Sequence, residues 1–275
     1  MSISRTVPSL LAFCLVVAAS AGMAQAPQKP YEPRPGQQGK DVVWIPSPTG
    51  MVEMMLDMAR VTPRDFVIDL GSGDGRNVIA AAKRGARSLG VEYNPDLVEL
   101  SRRNAAAAGV ADKAAFVQGD MYAADISKAT ALILFLIPAN LHKLEAKFLQ
   151  LAPGTRIVSN TYEIAAGGWE PDETRRLPAC LTWCGAHLYI VPANAEGHWH
   201  TAEGTLSLDQ YYQTLSGMYE LNGIRLPVEN GRLIGNEIRF TVNRVEYSGR
   251  LEGDTIKGTA QGRTAQAWTA KRASE

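Results

Sequence analysis

Three glycines in five residues, Gly71, Gly73 and Gly75, separate an apolar run, Phe66-Val67-Ile68-Asp69-Leu70, from an alanine-rich amphipathic stretch, Arg76 to Arg84. The run reads as a buried strand and the stretch as a helix, and the glycines let the turn between them take positive φ and lie bare against a ligand. A strand that feeds a helix through so short a turn belongs to a mostly parallel sheet covered by helices, an α/β fold. The alternation continues. Arg87 to Glu92 reads as a second strand, Pro95 to Ala108 as a helix, Ala114 to Gln118 as a third strand and Ala131 to Leu136 as a fourth. A helix over Asn140 to Leu151 and a fifth strand over Arg156 to Ser159 follow, with Leu188 to Val191 expected as a late strand at the sheet edge.

Sheets of this kind bind ligands beyond the carboxyl ends of their strands, and acids collect there. Asp69 lies two residues before the first glycine, Glu92 ends the second strand, and Asp120 follows the third in Gly119-Asp120-Met121. A dinucleotide fingerprint would need a glycine where this chain has Arg76. Glu92 can accept from both hydroxyls of a ribose, and Asp120 from the exocyclic amine of an adenine lying against Met121. Alone, Asp69 or Glu92 would read as a solvated acid at a strand end. Three strand ends, each with an acid and in this order, point to an adenosine-type ligand.

This joint pattern resembles the class I S-adenosylmethionine-dependent methyltransferases. Trp44-Ile45-Pro46-Ser47-Pro48-Thr49, followed by Met51 to Ala59 and Asp65 to Ala82, narrows the resemblance. It is to the mitochondrial-type protein-lysine methyltransferases that modify the ATP-synthase c-subunit and adenine nucleotide translocase, and to their bacterial relatives. The likeness continues through Leu134 to Pro138 and Pro153 to Ser159 to Trp169-Glu170-Pro171-Asp172, covering roughly residues 44 to 172. It implies a Rossmann-like sheet and S-adenosylmethionine as methyl donor. Cofactor contacts are expected from Pro46 and Thr49 in the segment that covers the donor, and from Asp69, Gly71, Ser72, Gly73, Gly75, Glu92, Asp120 and Met121. In-line methyl transfer needs mainly alignment and a lone pair on the acceptor, so no nucleophilic triad is required. The family's usual residues after Val158-Ser159 are replaced here by Asn160-Thr161-Tyr162. These three are candidates to line an acceptor channel; the competing reading is that they only end the strand.

The expected acceptor is an amine, a protein lysine first, with small amines admitted by the same channel. Twenty-eight Lys and Arg against 28 Asp and Glu leave no formal net charge, far from the basic balance that grips a phosphate backbone, so no nucleic-acid partner is expected. The fourth strand also runs into Leu136-Ile137-Pro138, without the polar element that polarises an adenine amine. The competing function class is a non-catalytic exported module that binds S-adenosylmethionine or another adenosine-type ligand through the same fold. Turnover of the donor separates the two.

The amino terminus carries Arg5, an apolar run from Leu10 to Ala19, and small residues from Ala21 to Ala26, the pattern of a cleaved secretory signal. Of two small-x-small sites, cleavage after Ala24 is favoured, because the later one is followed by Pro27, a poor peptidase substrate. The run is well short of the roughly 20 residues of a stable membrane span. A periplasmic or secreted location is expected. Four prolines between residues 27 and 40 predict an extended linker. An oxidising compartment permits a disulfide between the remaining cysteines, Cys180 and Cys184. In a tight turn they come within bonding reach and in an extended strand they do not, so the bridge and a pair of small buried thiols both stand.

From Gly197 the helical period vanishes. Short alternating runs lie between Asn222-Gly223, Asn230-Gly231, Gly235-Asn236 and Gly253-Asp254, dipeptides that close β-hairpins. Gly231-Arg232-Leu233-Ile234-Gly235-Asn236-Glu237-Ile238 returns 18 residues later as Gly249-Arg250-Leu251-Glu252-Gly253-Asp254-Thr255-Ile256. The period of two strands predicts a second, small all-β domain: an antiparallel meander of seven or eight strands, closed or nearly closed into a barrel. Trp199, Tyr219, Phe240, Tyr247 and Trp268 are expected to fill it. His198 and His200, with His187 or the cysteines, match no zinc spacing, so no metal is expected. The chain thus divides into a signal peptide over 1–24, a linker over 25–41, a methyltransferase-type domain over 42–192 and a β-meander domain over 197–272.

Overall fold

A computed structural model describes residue 1 and residues 31–165 and 167–273. The segment read as a signal and its two candidate cleavage sites lie outside the described residues, Met1 excepted. Contacts group Pro33–Glu275 as one compact unit and Met1–Glu32 as another.

Helix α1 (Thr49–Met58) leads into a seven-stranded sheet built from β1 (Phe66–Leu70), β2 (Arg87–Glu92), β3 (Ala114–Gln118), β4 (Ala131–Leu134), β5 (Arg156–Asn160), β6 (Glu173–Arg176) and β7 (Gly185–Ile190). Helices α2 (Arg76–Lys83), α3 (Pro95–Ala107) and α4 (Pro138–Phe148) connect β1 to β2, β2 to β3 and β4 to β5. The strand order is β3-β2-β1-β4-β5-β7-β6. The first five run parallel, whereas β7 is antiparallel to both β5 and β6. Residues alternate between faces. Val67, Ile133 and Val158 pack with Met51, Met55 and Leu56 of α1, while Ile68, Leu132 and Ile157 pack with Leu141, Leu144 and Phe148 of α4. Burial on both faces is why these strands read as continuous apolar runs.

Two expectations need correction. The strand expected at the sheet edge is β7, one place in from it, because Glu173–Arg176 forms a further strand outside. Only backbone pairing with β7 makes β6 a strand. Its charged, exposed side chains leave no apolar pattern to read, and charge is how an edge strand avoids pairing with another chain. The fourth strand ends at Leu134 rather than Leu136, since α4 begins at Pro138, whose ring sets the entry φ.

The remaining strands are β8 (Gly197–Thr201), β9 (Gly204–Tyr211), β10 (Thr214–Leu221), β11 (Ile224–Pro227), β12 (Glu229–Ile234), β13 (Glu237–Val242), β14 (Val245–Glu252), β15 (Thr255–Gln261) and β16 (Ala265–Arg272). Antiparallel pairing runs β10-β12-β13-β14-β15-β16-β8-β9, and a further β9–β10 ladder closes it into an eight-stave barrel, with β11 beside β12 on the same edge of β10. Asn222-Gly223 forms a hairpin turn with both φ positive. Gly235-Asn236 and Gly253-Asp254 close the two repeated hairpins. Asn230-Gly231 does not close a hairpin. It lies inside β12, where the register slips between Glu229 and Arg232 and Asn230 takes a φ of +54°, so the left-handed residue bends a strand instead of reversing it.

Trp199, Tyr219, Phe240, Tyr247 and Trp268 are all buried in the barrel. Phe240 stacks on Tyr247 at 4.9 Å, and the indole N–H of Trp268 donates to Tyr219 Oη, which donates to Thr201. The barrel joins the sheet at the end remote from the strand carboxyl termini. The Gly235 turn abuts Gly154 just before β5, Tyr212 donates to Glu145 in the second half of α4, and Arg232 pairs with Glu170 and Asp172 at 3.4 Å.

Candidate functional site

The strand carboxyl ends, the loops after them and a strap formed by residues 36–47 enclose a cavity of about 440 Å³. The strap begins within the stretch read as a linker. It is a local fold: Gly36 N–H donates to Trp44 O, Trp44 N–H to Gln37 O, and Gly39 N–H to Val42 O, each near 3 Å. It is tied down at Ser47, whose hydroxyl accepts from Asn160 Nδ2 at 3.1 Å and whose carbonyl accepts from Arg76. Arg76 is held in turn by the Asp74 carboxylate at 2.6 Å. The position where a dinucleotide site would need glycine is therefore used to anchor the strap.

Gly71, Gly73 and Gly75 all have positive φ. At Gly73 a Cβ would lie 2.5 Å from Trp44 Nε1, so the bare backbone is what lets the strap close. Gly71, Ser72 and Gly73 line the cavity. Gly75 does not: a Cβ there would strike Phe116 and Ser101, so this glycine serves the packing of α2 against α3 and β3 rather than ligand approach.

Each acid has its own surroundings. Asp69 is buried and accepts from Asn77 Nδ2 at 3.0 Å. Burial, with the negative Glu92 and Asp74 nearby, drives its carboxyl well above the usual carboxylate range, against the opposing bond from Asn77. Glu92 accepts Gly73 N–H on one oxygen and Asn94 N–H on the other, both at 2.9 Å, which orients the carboxylate and leaves lone pairs facing the cavity. Asp120 accepts from Lys40 Nζ at 2.7 Å and from Tyr122 N–H at 2.9 Å, and the bond from Lys40 holds its carboxyl below the ordinary range.

Of the residues singled out from the sequence, Pro46, Asp69, Gly71, Ser72, Gly73, Glu92, Asp120, Met121 and Tyr162 line the cavity. Thr49 does not, because it starts α1 with its side chain exposed, and Ser47 takes the lining position. Asn160 is buried beneath the strap as its anchor, and Thr161, at φ +68°, donates its hydroxyl to Asn160 Oδ1. Neither lines the cavity. His187 contacts Thr174 and Thr161 O, and His198 contacts Ser207. Among the described residues no cluster of three or more His, Cys, Asp or Glu side chains could hold a metal ion.

Sequence reasoning missed Lys40, Asn77, Phe135 and Trp183, all of which line the cavity. Phe135 follows β4 directly, a position from which it could have been inferred. Trp183 comes from the β6–β7 hairpin, whose five residues Cys180 to Cys184 are closed by a disulfide with Cα atoms 5.6 Å apart. The bridge left open by the sequence is thus formed, in a turn. The ring of Trp183 meets Phe135 edge-on at 6.0 Å.

The lining has two halves. Beyond β1, β2 and β3 it is polar, with the four carboxylates of Asp69, Asp74, Glu92 and Asp120; beyond β4 and β5 and at the β6–β7 hairpin it is Phe135, Leu136, Ile137, Tyr162 and Trp183. Two buried polar atoms in the first half, Ser72 Oγ and Asn77 Oδ1, lack a hydrogen-bond partner among the described residues. The unpaired Asn77 Oδ1, on the amide bonded to Asp69, suits with that carboxyl a ligand bearing an ammonium group, and Glu92 and Asp120 suit its ribose and adenine. The residues present therefore fit S-adenosylmethionine.

The ANTKMT methyltransferase domain model matches residues 69–173. A protein-lysine N-methyltransferase of Saccharolobus islandicus is 39% identical over 153 residues, which are 54% of this chain and 94% of that protein. The mouse (Mus musculus) lysine N-methyltransferase of the ATP-synthase c-subunit is 36% identical over 132 residues, 48% of this chain and 52% of that protein, so the chain spans about half its length. The solved structure of an RNA methyltransferase from Salinibacter ruber in complex with S-adenosyl-L-homocysteine is 43% identical with a TM-score of 0.51, covering 55% of this chain and 95% of that one.

Proposed function

From the premise that this chain belongs to the ANTKMT-type family of S-adenosylmethionine-dependent methyltransferases, we propose that its acceptor is an amine, a protein lysine before any other. The observation that carries this reading is the aromatic and aliphatic half of the cavity. No acid, lysine or histidine stands among Phe135, Leu136, Ile137, Tyr162 and Trp183. Such a wall strips water from an incoming amine, so that once the amine has given up its proton its lone pair is free for the methyl group. Bound S-adenosylmethionine supplies an electrophilic methyl group on a sulfonium. The chain's own contribution is to hold and align. Glu92 and Asp120 would accept from the ribose and adenine of the donor, Asp69 and Asn77 would take its ammonium end, and the strap would exclude water.

The names of the relatives support a lysine acceptor, one of them through a protein matched over nearly its full length. The Salinibacter neighbour raises RNA as the second reading. Against it stands the zero net charge, since nucleic-acid binding draws most of its free energy from cationic contacts to phosphate. A non-catalytic exported binding module is the third. Export itself belongs to the proposal: the signal segment would place the mature chain, beginning at Gln25, in the periplasm or outside the cell. Intact-mass analysis of the product from a Gram-negative host would show that start, and soluble protein retaining Met1 would refute it.

Incubating the protein with labelled donor and separate pools of protein, RNA and small amines tests the acceptor. Label in protein, lost when lysines are first dimethylated chemically, is the expected result. Label in RNA alone would overturn it, and no label in any pool would leave the binding module.

A further inference from the structure

We propose that Trp183 is the acceptor-recognition residue of this site, and that the Cys180–Cys184 disulfide is the element that positions it. This rests on the reading of the cavity as a methyltransferase site. The hairpin between β6 and β7, which supplies Trp183, lies beyond residues 69–173, where the family model matches.

The hairpin gives Trp183 little support apart from the bridge. Leu177 N–H donates to Cys184 O at 2.8 Å across its neck, and above that bond the backbone turns through Ala179 and Trp183, both left-handed at φ +54° and +53°. Non-glycine residues adopt that conformation at a cost, and in a free loop they would leave it readily. Cross-linking residues 180 and 184 removes most of the alternatives. Leu181, at the tip, is fully exposed, whereas Trp183 is half-buried and turned inward against Phe135. The loop therefore commits its inward aromatic to the cavity.

Phe135, Tyr162 and Trp183 are three aromatic rings on the half of the lining that carries no charge. Aromatic faces attract ammonium groups, tryptophan most strongly, and the attraction grows as water is removed. The cation recognised is an alkylammonium, and its partner wall exists only while the hairpin is closed. Cys184 is buried but Cys180 is half-exposed, so a reductant in solution can reach the bridge. Reduction frees the loop and withdraws Trp183, with the carboxylates that hold the donor untouched, because they lie on β1, β2 and the loop after β3.

The test uses the full chain saturated with S-adenosylhomocysteine and tetramethylammonium as probe, with binding read from broadening of the probe's methyl resonance. Trp183→Ala is expected to weaken probe binding about tenfold and Trp183→Phe only about two- to threefold, in line with the strength of such contacts. Leu181→Ala should change nothing. Reduction with dithiothreitol, or the pair Cys180→Ser and Cys184→Ser, should weaken probe binding about fivefold, part of the strength of that same contact, and reoxidation of the wild-type chain should restore it. Calorimetric affinity for S-adenosylhomocysteine should stay within about twofold throughout. Absence of probe binding by the wild-type chain, or equal binding by Trp183→Ala, overturns the proposal while donor-site binding stands. Failure of S-adenosylhomocysteine to bind the wild-type chain would instead remove the methyltransferase reading beneath it.

Discussion

The ammonium of Lys40 lies 2.7 Å from the Asp120 carboxylate and 4.8 Å from the centre of the Tyr93 ring, so a residue of the strap occupies the acid that should receive an adenine amine. A carboxylate has room for a second donor, but not at full strength. Lys40→Met should therefore tighten S-adenosylhomocysteine binding only modestly, about threefold, because the ion pair it removes is exposed. Calorimetry decides it. Weaker binding would mean that Lys40 assists the ligand.

Glu92 should be far more sensitive. Its carboxylate is aimed by two backbone amides, and Glu92→Gln turns an N–H₂ toward one of them. Hydrogen bonds to a charged group contribute roughly 1.5 to 3 kcal/mol, so affinity for S-adenosylhomocysteine should fall between about ten- and a hundredfold. Unchanged affinity in the same calorimetric titration would remove Glu92 from the ribose site.

Asp69 carries a pH signature. A carboxyl whose folded pKa lies above its unfolded value binds its proton more tightly when folded, so the fold loses stability as pH rises from the unfolded value, about 3.9, toward the folded one. Asp69→Asn keeps the shape without the charge. Melting of the ligand-free variant should exceed that of wild type at neutral pH, with the gap closing as pH approaches about 4. A gap independent of pH would show that Asp69 is ionised at no cost in the folded state.

Asp65 has the opposite sign. Burial alone would raise its pKa, but bonds from Thr62 N–H, the Thr130 hydroxyl and Arg156 outweigh burial and hold it low. The network joins the start of β1 to β4 and β5, and breaking a buried pair of this kind costs about 3 kcal/mol or more. Asp65→Ala should lose that much in urea unfolding at neutral pH. The loss should shrink as pH falls through the lowered folded pKa, where the wild-type acid is protonated too.

The legible parts of this chain are those whose causes are local. Phe66–Leu70, Arg87–Glu92 and Ala114–Gln118 match their expected bounds because each strand is an apolar or alternating run ended by a glycine, proline or acid. The acids at their ends were readable for the same reason, since strand polarity fixes where a terminal side chain goes. Lys40 and Asp120 are 80 residues apart, and nothing near either announces the other. Asn160 was read as a channel residue because it stands at the carboxyl end of the fifth strand; only the packed strap shows that its amide is used on Ser47. Asn230-Gly231 has the composition of a reversal, and whether the chain reverses or bends there is set by β13 alongside.

Closure of the barrel changes how it can come apart. In a flat sheet the outermost strand is held on one side and peels first, whereas a ring has no outermost strand and must be cut before it can unroll. The cut is easiest where the fewest residues span it. Between β10 and β12 only Thr214 with Arg232 and Leu215 with Gly231 are in register, against eight pairs between β10 and β9 on the other flank. That short seam is the natural point of first opening. Amide exchange in the barrel should spread outward from Leu215 and Gly231 in both directions around the ring, and the long β14–β15 ladder, away from the seam, should hold its protons to the last.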